Sequence, residues 1–387
     1  MRDVRSTEEL LEEAVTLMVD FAERTGLTSA RAKRRYLWTD AFAVCNFVGL
    51  ARATGEARYS ELALRLVEQV HHVLGRHRED DSRSGWISGL SEHDGELHPT
   101  RGGLRIGKRL AERLPGEPID EQLEWDRDGQ YFHYLTQWMH ALDQVTLWTR
   151  QPHFNVWARE LAEVAHAAFA QGPPRQARRR MVWKMSIDLS RALVPSMGQH
   201  DPLDGFITCI ELQTTASLLS STSSGPSLKA AVADFSSLIE DRAWATADPL
   251  GLGGLLLDAC RVEQLMRHGA SVGATLLETL LSASVEGLAQ YSRQGDLRQP
   301  ASRRLAFREL GLAIGLSSIG VLGTKAGAEL LPLSSRVAVE LEALRHHVAL
   351  GSAIVAFWLD PEHRQNRTWV EHRDINEVML ATSLGIG

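Results

Sequence analysis

The sequence of 387 residues predicts an all-α protein in which two kinds of helix alternate along the chain. Apolar residues recur at helical spacing in about twelve stretches, and turn residues bound each stretch. No segment shows the apolar and polar alternation of a half-buried strand. Two chemically distinct helix types, together with an internal repeat, indicate how these helices pack.

The outer helices are recognised by their charged stripes, as in ELALRLVEQ and ARELAEVAH. A helix with one charged face meets water on that face. We predict outer helices at 7–24, 59–76, 153–171, 227–241, 272–294 and 332–357.

The inner helices are apolar or small around their whole circumference, as in GLGGLLLDAC and LGLAIGLSSIG, which is typical of buried helices. They are predicted at 36–54, 125–149, 202–220, 250–268, 304–322 and 372–384. Because the two sets alternate strictly, we predict an (α/α)6 toroid, with an inner ring inside an outer ring, as one domain over residues 1–387.

An internal repeat supports this arrangement. Residues 54–74 align without gaps to residues 149–169, and the matches include two threonines, two glutamates and two histidines. Each copy contains the end of an inner helix, a short turn and an outer helix, which is the repeating unit of a helical toroid.

Charge and composition exclude several classes of partner. The formal net charge is −7, so there is no basic field to attract nucleic acid. No stretch reaches the ~20 uncharged apolar residues that span a bilayer, and the charged, amphipathic start lacks the apolar region of a secretory signal. Cys45, Cys209 and Cys260 lie in apolar helical patterns without metal-type spacing, so we expect buried thiols and a cytoplasmic protein. The sequence leaves open whether the chain forms a homo-oligomer.

Two segments carry a resemblance to a known group. An inner helix starts W-x-D in WTDAFAV (38–44), and the turn ARATGEARYSELAL follows it. These segments and the helix order resemble the six-hairpin, glycosidase-like (α/α)6-barrel proteins, in particular the unsaturated glucuronyl and rhamnogalacturonyl hydrolases. The acylglucosamine epimerases share this barrel. The resemblance implies a carbohydrate-active enzyme.

The catalytic candidates lie at the starts of the inner helices. In an alternating ring all inner helices run the same way, so their N-termini meet at one rim and favour anionic groups there. Asp40, Asp126 and Asp128 lie at two of these starts, with His133 close by. Carboxylates and imidazoles can transfer protons, so we predict Asp126 or Asp128 as the general acid/base, Asp40 as the second carboxylate, and His133 as an orienting or proton-relay residue.

The substrate-binding candidates are aromatic or charged residues at the same rim and in two long loops, 77–123 and 172–201, which are predicted to overhang it. Aromatic faces stack on sugar rings, and cations suit a carboxylate or a phosphate. The candidates are Trp38, Trp86, His98, Arg105, Lys108, Glu124, Trp125, Tyr131, Lys184, Asp188, Arg191, His200, Asp204, His372 and Asp374.

The leading functional prediction is a glycoside hydrolase that acts on a small-molecule or oligosaccharide ligand, a sugar or a uronate. The general scheme uses two carboxylates, whereas the resemblance to the unsaturated uronyl hydrolases implies that one Asp hydrates a substrate double bond while arginines hold the uronate. One alternative is a sugar epimerase or isomerase that uses His133, His200 and His372. Another is a non-catalytic toroid that binds a partner. A prenyl transferase is disfavoured because DDxxD is absent.

No cofactor or metal is predicted. The chain lacks HExxH and HxH, and its glycine-rich segment HPTRGGLRIGK lacks the GxxxxGK[ST] spacing of a phosphate loop. The many histidines are therefore expected to pack in the fold or to line the rim.

Overall fold

A computed structural model describes residues 6–171, 180–220, 224–240, 242–294, 296–322 and 334–386. The chain forms two compact units, which are treated separately below. The N-terminal unit is Ala22–Glu240, and the C-terminal unit combines Asp241–Gly387 with Met1–Phe21. The boundary at Phe21 falls within helix α1, Thr7–Arg24. The single-domain organisation stays a prediction.

The N-terminal unit consists mainly of helical hairpins. Its helices are α2 Leu37–Thr54, α3 Ala57–Leu74, α4 Glu92–Leu97, α5 Glu121–Glu124, α6 Phe132–Thr149, α7 Pro152–Phe169, α8 Asp201–Leu218 and α9 Lys229–Ile239. Helices α2, α6 and α8 are buried on most sides, whereas α3 keeps one face in water. The distinction between inner and outer helices is therefore confirmed in this unit.

The C-terminal unit is also helical. Its helices are α10 Pro249–Arg267, α11 Ala274–Gln294, α12 Ala306–Val321, α13 Ser335–Arg345, α14 Val348–Trp358, α15 Arg367–Val370 and α16 Arg373–Ala381. Short 3-10 turns lie at Asp296–Arg298, Ala301–Arg303 and His363–Gln365, and a π-type turn at Thr382–Ile386. The all-α class is confirmed, and no described helix has both the length and the apolar composition needed to cross a membrane.

The internal repeat is visible in the helix bounds. Helices α2 and α3 have the same lengths as α6 and α7, and each starts 95 residues before its counterpart. The two turns share the same hydrogen bonds. The hydroxyls of Thr54 and Thr149 each donate to the carbonyl four residues earlier and accept the backbone N–H two residues later. The following residues, Gly55 and Arg150, both adopt the left-handed conformation, at φ 72° and 60°. The repeat predicted from sequence is therefore a structural repeat.

Five short strands, all in the N-terminal unit, were not predicted. Strand β1, Gln130–Tyr131, pairs antiparallel with β4, Lys184–Met185, which pairs in turn with β5, Ala192–Val194. Strands β2, Ala170–Gln171, and β3, Arg180–Met181, form a separate pair. The first sheet ties the loop after α7 to the residues immediately before α6.

Two predicted helices differ from the structure. The helix predicted at 125–149 begins only at Phe132, because Gly129 has φ 148° and the next two residues form β1. The helix predicted at 332–357 is divided into α13 and α14 at His346 and His347. The predicted loop 77–123 contains α4 and α5, and part of the predicted loop 172–201, residues 172–179, lies outside the described residues.

Helices α10 and α12 are in backbone contact at Gly253. A Cβ atom placed there would lie 2.1 Å from the carbonyl oxygen of Gly311, whereas one at the neighbouring Gly254 would meet nothing within 4 Å. We expect Gly253→Ala to lower the free energy of unfolding by about 1–3 kcal/mol through overpacking. Gly254→Ala should raise it by up to about 1 kcal/mol, because alanine is the better helix former. Urea denaturation of both variants tests this, and shifts of the same sign would contradict it.

His71 in α3 is buried as a neutral imidazole. Its Nε2 accepts the indole N–H of Trp138 at 3.2 Å, and burial, assisted by the charge of His72, lowers the pKa of His71 to about 3. The unfolded chain therefore takes up a proton at higher pH than the folded one, so stability is lost as pH falls below ~6.5. Between pH 7 and 5 we expect protonation of this histidine in the unfolded chain to lower the free energy of unfolding by about 2 kcal/mol.

The pH dependence can be assigned by substitution. His71→Gln should remove this part of the loss between pH 7 and 5, and His72→Gln on the water-facing side of the same helix should retain it. Denaturation midpoints at the two pH values provide the measurement. An equal loss of stability in His71→Gln and in the unmodified chain would refute the assignment.

Candidate functional site

Three inner helices of the N-terminal unit bring their first turns together. The repeat places Trp38 and His133 at the same position, the second residue of α2 and α6, and α8 supplies Asp204 from its first turn. The indole Nε1 of Trp38 lies 3.4 Å from Nε2 of His133, and Nδ1 of His133 lies 2.8 Å from Oδ2 of Asp204. The structure thus assembles three of the predicted site residues into one chain of contacts.

The partners of His133 determine its tautomer. An ionised carboxylate only accepts hydrogen bonds, and an indole N–H only donates. Nδ1 therefore carries the proton that is donated to Asp204, and Nε2 carries the lone pair, facing Trp38. The His133 side chain is 39% exposed and that of Asp204 is 8% exposed. This is a partly exposed imidazole oriented by a buried acid.

A second acid lies beside this pair. Ligand atoms of His133, Asp201 and Asp204 lie within 4.8 Å of one another, a spacing at which three such groups can hold a metal ion. A metal ion bound here would displace the proton that Nδ1 donates to Asp204. The same three residues can therefore act as a proton-transfer group or hold a metal ion.

A continuous row of aromatic side chains leads away from His133. We call it the aromatic row, and it comprises Trp38, Tyr36, Tyr134, Tyr131, Trp183 and Trp125. The rings of Trp38 and Tyr36 both contact that of Tyr134. Tyr134 contacts Tyr131, Tyr131 contacts Trp183, and Trp183 contacts Trp125, with ring centroids 4.9–6.4 Å apart in these pairs. Trp125 is 58% exposed at the far end. Aromatic faces of this kind suit the apolar faces of sugar rings.

The tyrosine hydroxyls of the row remain protonated at neutral pH. Those of Tyr36 and Tyr134 are hydrogen-bonded at 2.8 Å. Burial raises the pKa of Tyr134 to about 12 and raises the pKa values of Tyr36 and Tyr131 well above the usual range, with neighbouring tyrosines adding to the effect in both. One hydroxyl of the Tyr36–Tyr134 pair, and that of Tyr131, can therefore donate a hydrogen bond to a bound oxygen.

Lys108 lies over the row. Its Nζ is 5.3 Å from the centre of the Tyr36 ring, and burial lowers its pKa against the opposing effect of Asp126 and Asp128. It comes from the predicted loop 77–123, which therefore does reach the first turn of α2.

Asp40 has a different environment from the one expected of a second catalytic carboxylate. It is 1% exposed, accepts the backbone N–H of Tyr36 at 2.9 Å, and pairs with the buried Arg35 at 3.4 Å. These contacts fix the start of α2.

Asp128 is likewise occupied by structural contacts. It is fully buried and pairs with Arg105 at 2.9 Å and Arg78 at 3.3 Å, and it also accepts backbone N–H groups, including that of Gly107. Arg105 in addition donates to two backbone carbonyls. The predicted acid and the predicted substrate-binding arginine therefore bind each other, whereas Asp126 remains exposed.

Glu124 and Lys184 form a second buried cluster. The Glu124 carboxylate receives Arg113 at 2.7 Å and Lys184 at 3.0 Å, and Lys184 Nζ also donates to the Arg127 carbonyl. Lys184 Nζ is 5.4 Å from the centre of the Tyr131 ring, so this cluster lies next to the aromatic row. Its cations are engaged by Glu124.

Four further candidates make contacts within the loops or with an outer helix. Trp86 is 2% exposed beneath Arg76, and His98 pairs with Glu160 of α7 at 2.8 Å. The other two are Asp188, which pairs with Arg83 at 2.7 Å, and Arg191, which donates to the Arg113 carbonyl. The structure does not bring these side chains to His133.

The remaining candidates lie at helix starts. His200 is the N-cap residue of α8, next to Asp201. His372 is the N-cap residue of α16 in the C-terminal unit, with its ring 5.6 Å from Phe307, and Asp374 lies in the first turn of the same helix. Their roles in binding stay predictions.

Three members of the aromatic row were not among the candidates. Tyr134 directly follows His133 and Tyr36 lies two residues before Trp38, and the repeat offset pairs Tyr36 with Tyr131, which was a usable signal. Trp183 is brought in by the pairing of β1 with β4, and its Nε1 donates to Ser196. No local pattern around Trp183 indicated this pairing.

Comparison with known proteins gives one described similarity. No protein-family model matches the chain, and no curated protein matches it. Among solved structures, the chain is similar to one described as the crystal structure of a sugar epimerase from a ruminal bacterium. The identity is 8%, the match covers 89% of this chain and 86% of that one, and the TM-score is 0.48. The functional argument therefore depends on the geometry of the side chains.

Proposed function

We propose that the N-terminal unit is a carbohydrate-active enzyme that moves a proton on a bound sugar, as in epimerisation or isomerisation. The observation that carries this proposal is the His133–Asp204 pair, a partly exposed imidazole whose Nδ1 lies 2.8 Å from a buried carboxylate and whose Nε2 is the nitrogen left to accept a proton. A group of this kind is suited to general base catalysis near neutral pH.

The reaction proceeds from the open-chain form of a sugar. Nε2 of His133 takes the proton from the carbon next to the carbonyl, and the electron pair of that C–H bond moves to the carbonyl oxygen to give an enediolate. Asp204 accepts the Nδ1–H throughout and stabilises the imidazolium that forms. Return of the proton from Nε2 to the neighbouring carbon, with transfer of the hydroxyl proton from one enediolate oxygen to the other, completes an isomerisation. Return to the opposite face of the first carbon, after the enediolate turns over in the site, completes an epimerisation.

The tyrosine hydroxyls supply the complementary charge stabilisation. Tyr134 lies beside His133, with ring centroids 6.4 Å apart, and is hydrogen-bonded to Tyr36. Both hydroxyls stay protonated, so the one that does not donate to its partner can donate to the oxygen on which negative charge develops. The aromatic row provides the surface on which the sugar ring lies.

Glycoside hydrolysis is the second candidate. It needs two carboxyl groups on either side of the scissile bond, one of them protonated. Asp40 and Asp128 are buried and engaged by cations and backbone N–H groups, which disfavours both. The observation in favour of hydrolysis is the exposed Asp126, close to Lys108 and next to Trp125 in sequence.

Deuterium exchange tests the proposal directly. The full chain is incubated in D2O with a panel of neutral, amino, acidic and phosphorylated aldoses and ketoses, and the sugars are followed by proton NMR. We expect one sugar class to lose its proton next to the carbonyl and to form an isomer. Absence of exchange across the panel would overturn the proposal, and release of a reducing sugar from aryl glycosides would favour hydrolysis instead.

A further inference from the structure

Lys108 is distinguished from its cationic neighbours by having no acidic partner. Arg78 and Arg105 are paired with Asp128, and Lys184 is paired with Glu124. Within the part of the chain that the structure describes, no ion pair or side-chain hydrogen bond involves the Lys108 ammonium. Unlike Arg78, Arg105 and Lys184, the Lys108 ammonium lies beside the aromatic row without an ion-pair partner among the described residues.

The hydroxyl of Tyr131 is a second unused group in the same place. Tyr131 is 4% exposed, and its hydroxyl makes no hydrogen bond within the described ranges. A buried hydroxyl without a partner is costly, so such a group indicates a missing acceptor. Asp126 and Asp128 interact electrostatically both with this hydroxyl and with the Lys108 ammonium, so the two groups share one neighbourhood.

The aromatic row connects Lys108 and Tyr131 to the His133–Asp204 pair. The Tyr36 ring, under Lys108, contacts Tyr134, and Tyr134 contacts both Tyr131 and His133. A sugar lying on Tyr134 can therefore approach His133 with one end and Lys108 with the other.

We propose that Lys108 and Tyr131 bind an anionic substituent, a carboxylate or a phosphate, on the sugar that reacts at His133. Both groups are donors, and an ammonium with a neutral hydroxyl matches the acceptor oxygens of such a substituent. This inference rests on the proposed function and narrows its substrate class to acidic sugars.

Binding measurements test this without turnover. The full chain is titrated calorimetrically with glucose, glucuronate and glucose 6-phosphate. We expect the acidic sugars to bind about tenfold or more tightly than glucose, since hydrogen bonds to charged groups are the strong ones. The preference should shrink at high salt. The tighter-binding acid identifies the source of the charge as carboxylate or phosphate.

Variants assign the effect to the two groups. Lys108→Met should abolish the preference for acidic sugars and leave glucose binding within about twofold, and Lys108→Arg should retain part of it. Tyr131→Phe should weaken acid binding severalfold. The control is Lys33→Met, which removes the same charge from an exposed position in the same unit and should change nothing.

The outcomes separate this inference from the function it rests on. Equal binding of glucose and glucuronate to the unmodified chain, or an unchanged acid preference in Lys108→Met, would overturn the anionic subsite and leave proton transfer standing. Failure of every sugar to bind would overturn both.

Discussion

Replacing His133 by Gln is expected to lower the rate of deuterium exchange at the sugar carbon by at least about 100-fold, the usual contribution of a positioned general base. Gln can still hydrogen-bond to Asp204, but it has no lone pair that can hold a proton at neutral pH. The affinity for the sugar should change little. The measurement is proton NMR in D2O, with the affinity determined separately by calorimetry.

Asp204→Asn tests the tautomer argument. The Asn amide can donate to Nδ1, which would move the imidazole proton to Nε2 and remove the base from the side that meets the sugar. We therefore expect a loss of exchange about as large as in His133→Gln, although the imidazole is intact. His72→Gln on the water-facing side of α3 is the matched control and should leave exchange unaltered.

A different pair of results would contradict the proton-transfer proposal. Full activity in His133→Gln, combined with loss of activity in Asp126→Asn, would show that an exposed carboxylate performs the chemistry. The hydrolase prediction made from the sequence would then replace the proton-transfer proposal.

Asp128→Asn should produce the largest loss of stability among the predicted site residues, about 3–5 kcal/mol. The carboxylate is fully buried and is the common partner of Arg78 and Arg105. Removing its charge takes the ion-pair partner away from Arg105 and leaves Arg78 paired only with the exposed Asp80 among the described acids. The amide nitrogen would also face the backbone N–H groups of Gly107 and Gly129, which need an acceptor.

Asp126→Asn is the natural control for this substitution. It makes the same chemical change two residues earlier, at an exposed side chain, and should alter stability by no more than about 0.5 kcal/mol. Urea denaturation midpoints of the two variants decide the matter. Equal midpoints would show that the Asp128 cluster does not hold the loop against α6.

The helices were predictable because their signals are local. The predicted bounds of α1 match the structure, and those of α2, α8 and α10 differ by only one or two residues. Apolar periodicity and turn residues lie within each element, so no distant contact is needed to recognise them. The repeat was predictable for the same reason.

The site was predicted only in part, because its contacts are long-range. Trp38, His133 and Asp204 were found from the convergence of inner-helix starts, and the structure does join them. The role of Asp128 depends on arginines 23 and 50 residues away in sequence. Nothing adjacent to Asp128 shows that these arginines return to it.

The aromatic row was also predicted only in part, and the repeat could have supplied one more member. Trp183 reaches the row through strands of two residues each, which are too short to leave a pattern in the sequence. Tyr36 could have been found by extending the repeat backwards, since Tyr36 and Tyr131 are equivalent N-cap residues. Repeats therefore locate functional residues as well as helices.

The stacking of Trp125 on Trp183 has an optical consequence. The indole centroids are 5.1 Å apart and the planes are 29° from parallel, close enough for their excited states to couple and give a paired band in circular dichroism. Because Trp125 is the exposed end of the row, a sugar that settles on it would shield one ring from water and alter the coupling. Circular dichroism of this indole pair is thus a label-free way to test whether a sugar binds at Trp125.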